Sequence, residues 1–504
     1  MTPFSHIFCV RYKTKGNHTN VPTTVRSTGR LEGTMNVSAV IVLALVSLAA
    51  VVEAAVIRGN GDVKEPQPLI LVKEKNRTDF LHPTDDGRVL RLKTGRTVLL
   101  ACPGKGNYVA GINAPRNLNE IEAECLRGKI FIADSNRFNF TSISCRYLPR
   151  HEARRTKKPC NGNDTRVEIG FPLKGSFLRT IEICRNDRTM MTAWSRYRLT
   201  SKISGHQSGY PRPRFWQSGN FYESYDIQRQ YKTATQLRTV EKLVGSPELA
   251  KKYIRTEMGF FMARGHLTAK SDFVYGSAQM STFWYLNAAP QWQTFNAGNW
   301  NSLEGNVRSY AANGTSDIEV YTGIHGQMSL DDVNGNPVPV YLYVNGTERA
   351  FPVPKFFWKV IHDPTTKRAT AFVGVNDPWA EKITEDMFLC ENVADKIKWL
   401  TWRADNIVKG VSYACTVDDL RKSVPTVPAL SVNGILVYYR GWVLGRAQVH
   451  QNDKRLGRST GGGDALRTRV RYLGYNLCAR YSARSFTPRI NCFRLNVPDI
   501  VASV

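Results

Sequence analysis

The chain has 504 residues, 42% of them apolar and 11% aromatic, which is enough for two or three ordinary cores and excludes a globally disordered protein. Its formal charge of +27 is unevenly spread: residues 1–34 carry +4 and residues 431–504 carry +9, leaving +14 for residues 35–430. A folded region with that excess attracts polyanions such as nucleic acid, heparin-like glycans or anionic membranes, although charge kept only for solubility is the plainer alternative.

In chain order, residues 1–34 are a basic, Ser/Thr-rich leader or upstream extension, and a mitochondrial transit peptide is one reading of them. Residues 37–52, "VSAVIVLALVSLAAVV", are apolar and uncharged, start just after Met35 and lead to small residues at Ala54 and Ala55. This predicts a signal peptide over 35–55 and a secreted, extracellular protein with no stable membrane anchor. The run is slightly short of a spanning length, so a single-pass anchor is the rival. Glycosylation sequons begin at Asn76, Asn139, Asn163, Asn313 and Asn345, which favours the secretory route over mitochondria. The ten cysteines include no C-x-x-C pair, so disulfides in an oxidising compartment fit better than zinc. Cys390 and Cys415 form the expected local pair. The five earlier cysteines, Cys102, Cys125, Cys145, Cys160 and Cys184, are odd in number, so one stays reduced or joins Cys478 or Cys492.

Residues 57–200 alternate β-type runs, "RTVLLACPG", "GKIFIADSN" and "SFLRTIEIC", with turn clusters, and read as a small β-rich domain over 56–200. From about 205 the texture changes. "ATQLRTVEKLVG" and "SPELAKKYIRTEM" have helical periodicity, with Ser246 as N-cap and Pro247 at the first helical position. Later runs, "VPVYLYVNGTERAFPVPKFFWKVI" and "RATAFVGV", are strands punctuated by Asn-Gly turns. Residues 201–430 therefore form one α+β domain. Residues 431–504, strongly basic and containing "STGGGD", are a tail of unknown role.

H-E-x-x-H, P-loop, G-x-S-x-G and EF-hand patterns are all missing, which removes zinc proteases, P-loop phosphotransferases and α/β-hydrolases. What remains is Arg264-Gly265-His266 and the stretch after it. A lone R-G-H is weak, since a strand histidine is more often a structural one. Its sequel adds weight: a short strand over Tyr285–Ala288, then "APQWQTF", then a helix starting near Asn296. Such a helix sets Asn296, Trp300, Glu304 and Arg308 at i+4 steps on one face and stops at Asn313-Gly314.

Arg264-Gly265-His266, Asn287 with Pro290-Gln291, Asn296, and Leu303-Glu304 with Arg308 together resemble the DNA/RNA non-specific endonucleases, the ββα-metal nucleases that include endonuclease G. "RPRFW" resembles a family segment and nominates Arg214, and "RGHLTAKSDFVYG" with "APQWQTFNAGNW" looks most like a secreted arthropod branch that degrades double-stranded RNA. The chain departs from the pattern at Ala263, where the family has Asp. The resemblance covers about residues 190–425 and implies a mostly antiparallel central sheet flanked by helices. It implies His266 as general base, Asn296 as the one direct protein ligand of Mg²⁺ (with Mn²⁺ as a substitute), and Glu304 as holder of a metal-bound water. Arg308 and Arg214 would offset phosphoryl charge, while Asn287, Gln291 and Arg264 would position phosphate and water. A neutral amide suits Mg²⁺, which keeps most of its water, and avoids repelling a polyanion as a carboxylate cluster would. DNA and RNA, including duplex RNA, are the implied substrates. The alternatives are a catalytically weak basic nucleic-acid-binding protein on the same fold and a mitochondrial nuclease of the endonuclease G type.

Overall fold

Alternation of side chains every second residue sorts the first third of the chain into a sheet. In the strand Glu120–Arg127, Ile121, Ala123 and Cys125 point inward while Glu122 and Glu124 face water. This strand is the fourth of a six-stranded antiparallel sheet ordered Arg77–Phe80, Leu69–Glu74, Thr97–Ala101, Glu120–Arg127, Ile130–Ala133 and Asn136–Asn139. Val98, Leu100, Phe131 and Phe140 fill its core. A disulfide between Cys102 and Cys145 closes one side, and buried Cys125 donates its thiol toward the Leu92 carbonyl at 3.8 Å. The computed structural model describes residues 55–58, 62–74, 77–84, 89–112, 118–222 and 224–437. The leader, most of the signal-peptide run, Asn76 and nearly all of the tail lie outside them.

A second, eight-stranded antiparallel sheet runs in the order Glu152–Cys160, Asp164–Leu173, Ser176–Asn186, Met191–Leu199, Ile318–His325, Phe356–Asp363, Arg368–Val375 and Ser412–Cys415. The expected boundary at 200 therefore falls inside one sheet: Leu199 pairs with Ile318 and Trp194 with Gly323. Period-two patterning marks a strand but not its partner, so four strands of the larger sheet were legible only as β-rich sequence. Residues Phe356–Asp363 sit near the sheet's middle and are buried on both faces. Phe357 and Ile361 join the core under the helices, and Trp358 and Val360 join the core on the far side.

The helices follow the expected signals. Thr233–Val244 ends at Gly245, whose φ of 75° is a left-handed cap, and the Ser246 hydroxyl accepts from the Leu249 amide at 3.1 Å to start Pro247–Tyr253. The disulfides Cys160–Cys184 and Cys390–Cys415 brace the large sheet, the latter being the expected pair. Asn139, Asn163, Asn313 and Asn345 are all exposed.

Candidate active site

The site is built on a strand pair and the helix that follows it. Met262–His266 pairs antiparallel with Ala288–Trp292, placing His266 opposite Ala288 and Ala263 opposite Gln291. Tyr285–Asn287 is a 3-10 turn, so the expected strand over 285–288 begins only at Ala288. Buried Gln236 of the Thr233–Val244 helix fixes the pair's outer end, exchanging 2.8 Å bonds with both backbone groups of Met262. At the other edge the Trp292 amide donates to Asn376 Oδ1 at 2.8 Å.

His266 ends its strand with the ring packed on Trp216, 4.7 Å between centroids, and edge-on to Phe283 at 5.1 Å. The Thr282 hydroxyl stands 3.5 Å from Nε2. Burial, reinforced by the positive charges of Arg212 and Lys270, lowers its pKa to about 3. The imidazole is therefore neutral at ordinary pH, and its basicity would rise if an anion beside it offset the charges of Arg212 and Lys270. No carboxylate steers the ring from position 263, and this aromatic clamp does so instead.

Arg264 lies over Tyr231 and Tyr285, 5.2 and 5.5 Å from their centroids, and its Nε donates to the Tyr285 hydroxyl at 3.2 Å. Asn287 is fully buried and spent within the protein: Nδ2 donates to the Thr268 and Thr282 carbonyls, and Oδ1 accepts from the Thr268 amide. It thus ties together the two loops beside His266, and this brace engages the amide that was expected to help position phosphate and water. Gln291 is also fully buried, but among the described residues neither end of its amide has a partner. It lies across Gly265, where a Cβ would meet Gln291 Oε1 at 2.3 Å, so this position needs glycine.

The expected continuous helix is interrupted. Asn296–Trp300 is a wide π-type turn in which Gly298 adopts φ −91° and ψ −122°, and the regular helix is Asn301–Ala312. The cause is Asn299, whose side chain donates to the Arg403 and Gly410 carbonyls at 2.7 Å and accepts from the Arg403 amide at 2.9 Å. Trp300, expected on the functional face, is core against Phe295 and Phe357. Asn296 donates Nδ2 to Gln293 Oε1 at 3.0 Å, and among the described residues its Oδ1 meets no donor.

Glu304 and Arg308 stand one turn apart. Burial raises the Glu304 pKa to about 7, opposed most strongly by the positive charge of Lys359, while Asp272 adds to the rise. Arg308 donates Nη1 to Asp272 Oδ1 at 2.9 Å, and Tyr197 donates its hydroxyl to the same carboxylate. Lys359 is 1% exposed and donates to Thr322 Oγ1 at 2.6 Å under the Trp300 ring.

Arg214 is exposed, its guanidinium 5.2 Å from the neighbouring Phe215 ring. The arginine whose charge acts on both His266 and Glu304 is Arg212. Sequence reasoning also missed Trp216, Lys270, Asp272, Thr282 and Lys359. "RPRFW" held the signal for Arg212, but only the fold separates two arginines two residues apart. Among the described residues no three His, Cys, Asp or Glu side chains converge. A resident cation here would rely on the open Asn296 carbonyl oxygen, with Glu304 on the helix that follows. The residues fit such a group: a free amide oxygen and a carboxylate whose charge burial penalises are both stabilised by a small hard cation.

A histidine ending a strand, an asparagine at the entrance of the helix that carries Glu304 and Arg308, and an α+β frame together make the pattern of a ββα-metal nuclease. The profile of the DNA/RNA non-specific endonucleases matches residues 162–420, more than half the chain, and the chain belongs to that family. It is an endonuclease of a metal-dependent family and acts on nucleic acid. A salivary endonuclease of Lutzomyia longipalpis is 26% identical over 380 residues, covering 72% of this chain and 83% of that protein. Salivary protein Tsal2A of Glossina morsitans morsitans is 26% identical over 411 residues, covering 79% and 98%. A chain of the solved EndoG/EndoGI complex shows 18% identity at a TM-score of 0.32, covering 51% of this chain and 87% of its own.

Proposed function

We propose that this protein is a secreted, Mg²⁺-dependent, sugar-non-specific endonuclease that cuts DNA and RNA, including duplex RNA. The observation that carries this reading is the place of His266, at the end of its strand with Arg212 and Lys270 acting on it: the imidazole is held neutral, and a phosphodiester anion beside those cations would offset their charge and raise its basicity. Water attacks phosphorus as His266 takes its proton; the new P–O bond forms, the bond to O3′ breaks, and O3′ takes a proton from solvent, leaving a 5′-phosphate. Arg308, Arg264 and Arg212 offset charge on the phosphoryl oxygens. Asn296 and Glu304 would hold the cation, which supplies further charge stabilisation when bound. Asn287 and Gln291 position the strand pair, and Arg214 meets substrate outside the cleft.

Secretion is supported by the apolar run at 37–52, the exposed sequons and the relatives' salivary origin. The exposed, cation-rich surroundings offer contacts to backbone phosphates rather than bases, which supports action on either sugar and on duplexes. The test is cleavage of plasmid DNA and of duplex RNA by the protein secreted from insect cells, with Mg²⁺ or with EDTA. Cutting of both substrates, lost in EDTA, is expected; metal-independent cutting or no cutting of duplex RNA overturns the corresponding part.

A further inference from the structure

We propose that the loop over residues 146–151 of the smaller β-rich unit is a second contact surface for the polynucleotide, holding the strand beyond the point of cleavage. It rests on the nuclease reading and gives a role to a part of the chain that the chemistry leaves unused.

Tyr147 and Leu148 are 52% and 47% exposed, so their burial does not drive folding. Yet the loop beneath them is fixed. Cys145 is held in the disulfide with Cys102, the Tyr147 amide donates to Asn107 Oδ1 at 2.9 Å, and its carbonyl accepts Asn107 Nδ2 at 3.0 Å. Asn107 itself is only 6% exposed, and the Arg150 amide donates to the Pro103 carbonyl at 2.9 Å. Buried polar groups thus present two apolar side chains to water in one conformation. Arg146 lies 4.9 Å from the Tyr147 ring centroid and 5.9 Å from that of Tyr108, and Arg150 and Lys105 are exposed beside them. A rigid aromatic ring with guanidinium charge at its face suits stacking of an unpaired base next to a phosphate.

The loop is also connected to the cleavage site. Its last residue, His151, accepts the Trp284 Nε1–H at Nδ1, 2.9 Å away. The adjacent Tyr285 ring packs on Trp216 at 5.7 Å, and Trp216 packs on His266 at 4.7 Å. Trp284 and Tyr285 are buried, so these contacts tie the loop through the protein interior to the residues that hold His266 and fix its place relative to the cleavage site.

The test uses the full secreted chain with Tyr147→Ala, Tyr147→Phe and Arg146→Ala variants, a labelled single-stranded 20-mer in EDTA, and a dinucleotide cleaved in Mg²⁺. Tyr147→Ala weakens 20-mer binding by about five- to a hundred-fold, the worth of one stacked base, and Tyr147→Phe does not. Arg146→Ala lowers the slope of log affinity against log salt by about 0.7. Dinucleotide cleavage stays unchanged in all three, because that substrate is too short to reach the loop. Unchanged 20-mer binding in Tyr147→Ala, or equal losses on both substrates, overturns the proposal. Failure of the unmodified protein to cut either substrate overturns the nuclease reading instead, and the binding arm still judges the platform.

Discussion

Arg308 gives its guanidinium to Asp272, Nη1 to Oδ1 at 2.9 Å, and not to Glu304, one turn before it on the same helix. Asp272 is 2% exposed and also accepts the Tyr197 hydroxyl, so one buried carboxylate on the Lys270–Asp272 turn holds both the helix and the sheet strand Met191–Leu199. Asp272→Asn should leave Arg308 without its counter-charge and lower stability by roughly 3–5 kcal/mol, the cost of breaking a buried pair. Urea unfolding with and without the substitution measures this. A change within about 0.5 kcal/mol, the size of an ordinary surface substitution, would show that Asp272 is dispensable.

Gly265→Ala tests the packing behind His266. The new Cβ would lie 2.3 Å from Gln291 Oε1 and 2.5 Å from its Cβ, both on the paired strand. Either Gln291 or the strand must move. A stability loss of about 1–3 kcal/mol and at least a tenfold drop in cleavage are expected. A variant with normal activity would mean that Gln291 has an alternative position which leaves His266 undisturbed.

The order of chemistry along the chain was legible, but its three-dimensional division of labour was not. Ser246 and Pro247 announced their helix start because an N-cap is local. The π-type turn at Asn296–Trp300 was hidden because its cause, the clamp of Asn299 by Arg403 and Gly410, spans more than a hundred residues. Asp272 and Lys359 were invisible for the same reason: each joins the site through tertiary contacts alone. Arg212 and Arg214 share a local sequence, and only the fold shows that the charge of Arg212 is the one acting on His266 and Glu304.

His266 should also leave a mark on stability. Its pKa is lowered to about 3 in the folded protein by burial and by Arg212 and Lys270, against about 6.5 when unfolded. Between those values the unfolded chain binds the extra proton, so stability falls as pH drops below about 6.5. Relative to His266→Gln, the metal-free protein should lose about 2 kcal/mol between pH 6.5 and 5. Comparing the two proteins cancels the opposite trend from Glu304, whose pKa is raised to about 7 and whose protonation therefore favours the folded state as pH falls. Guanidinium unfolding at both pH values reads the difference, and a constant gap would mean that His266 is solvated.

Asn296 and His266 should fail in different ways. His266→Ala removes the proton acceptor while leaving the open Asn296 oxygen, so cleavage should drop by about 10²–10⁴-fold with Mg²⁺ dependence unchanged. Asn296→Ala removes a ligand and leaves the base, so activity at limiting metal should fall and recover in part as Mg²⁺ is raised. Mn²⁺ binding followed by electron paramagnetic resonance gives a second readout that does not depend on turnover. It should weaken in Asn296→Ala and remain normal in His266→Ala, because the imidazole sits on the strand and the amide at the helix entrance. Glu304→Gln should resemble the Asn296 variant, since it removes the carboxylate charge that a cation would balance. Identical metal responses in the Asn296 and His266 variants would refute the assignment of separate roles to the two residues.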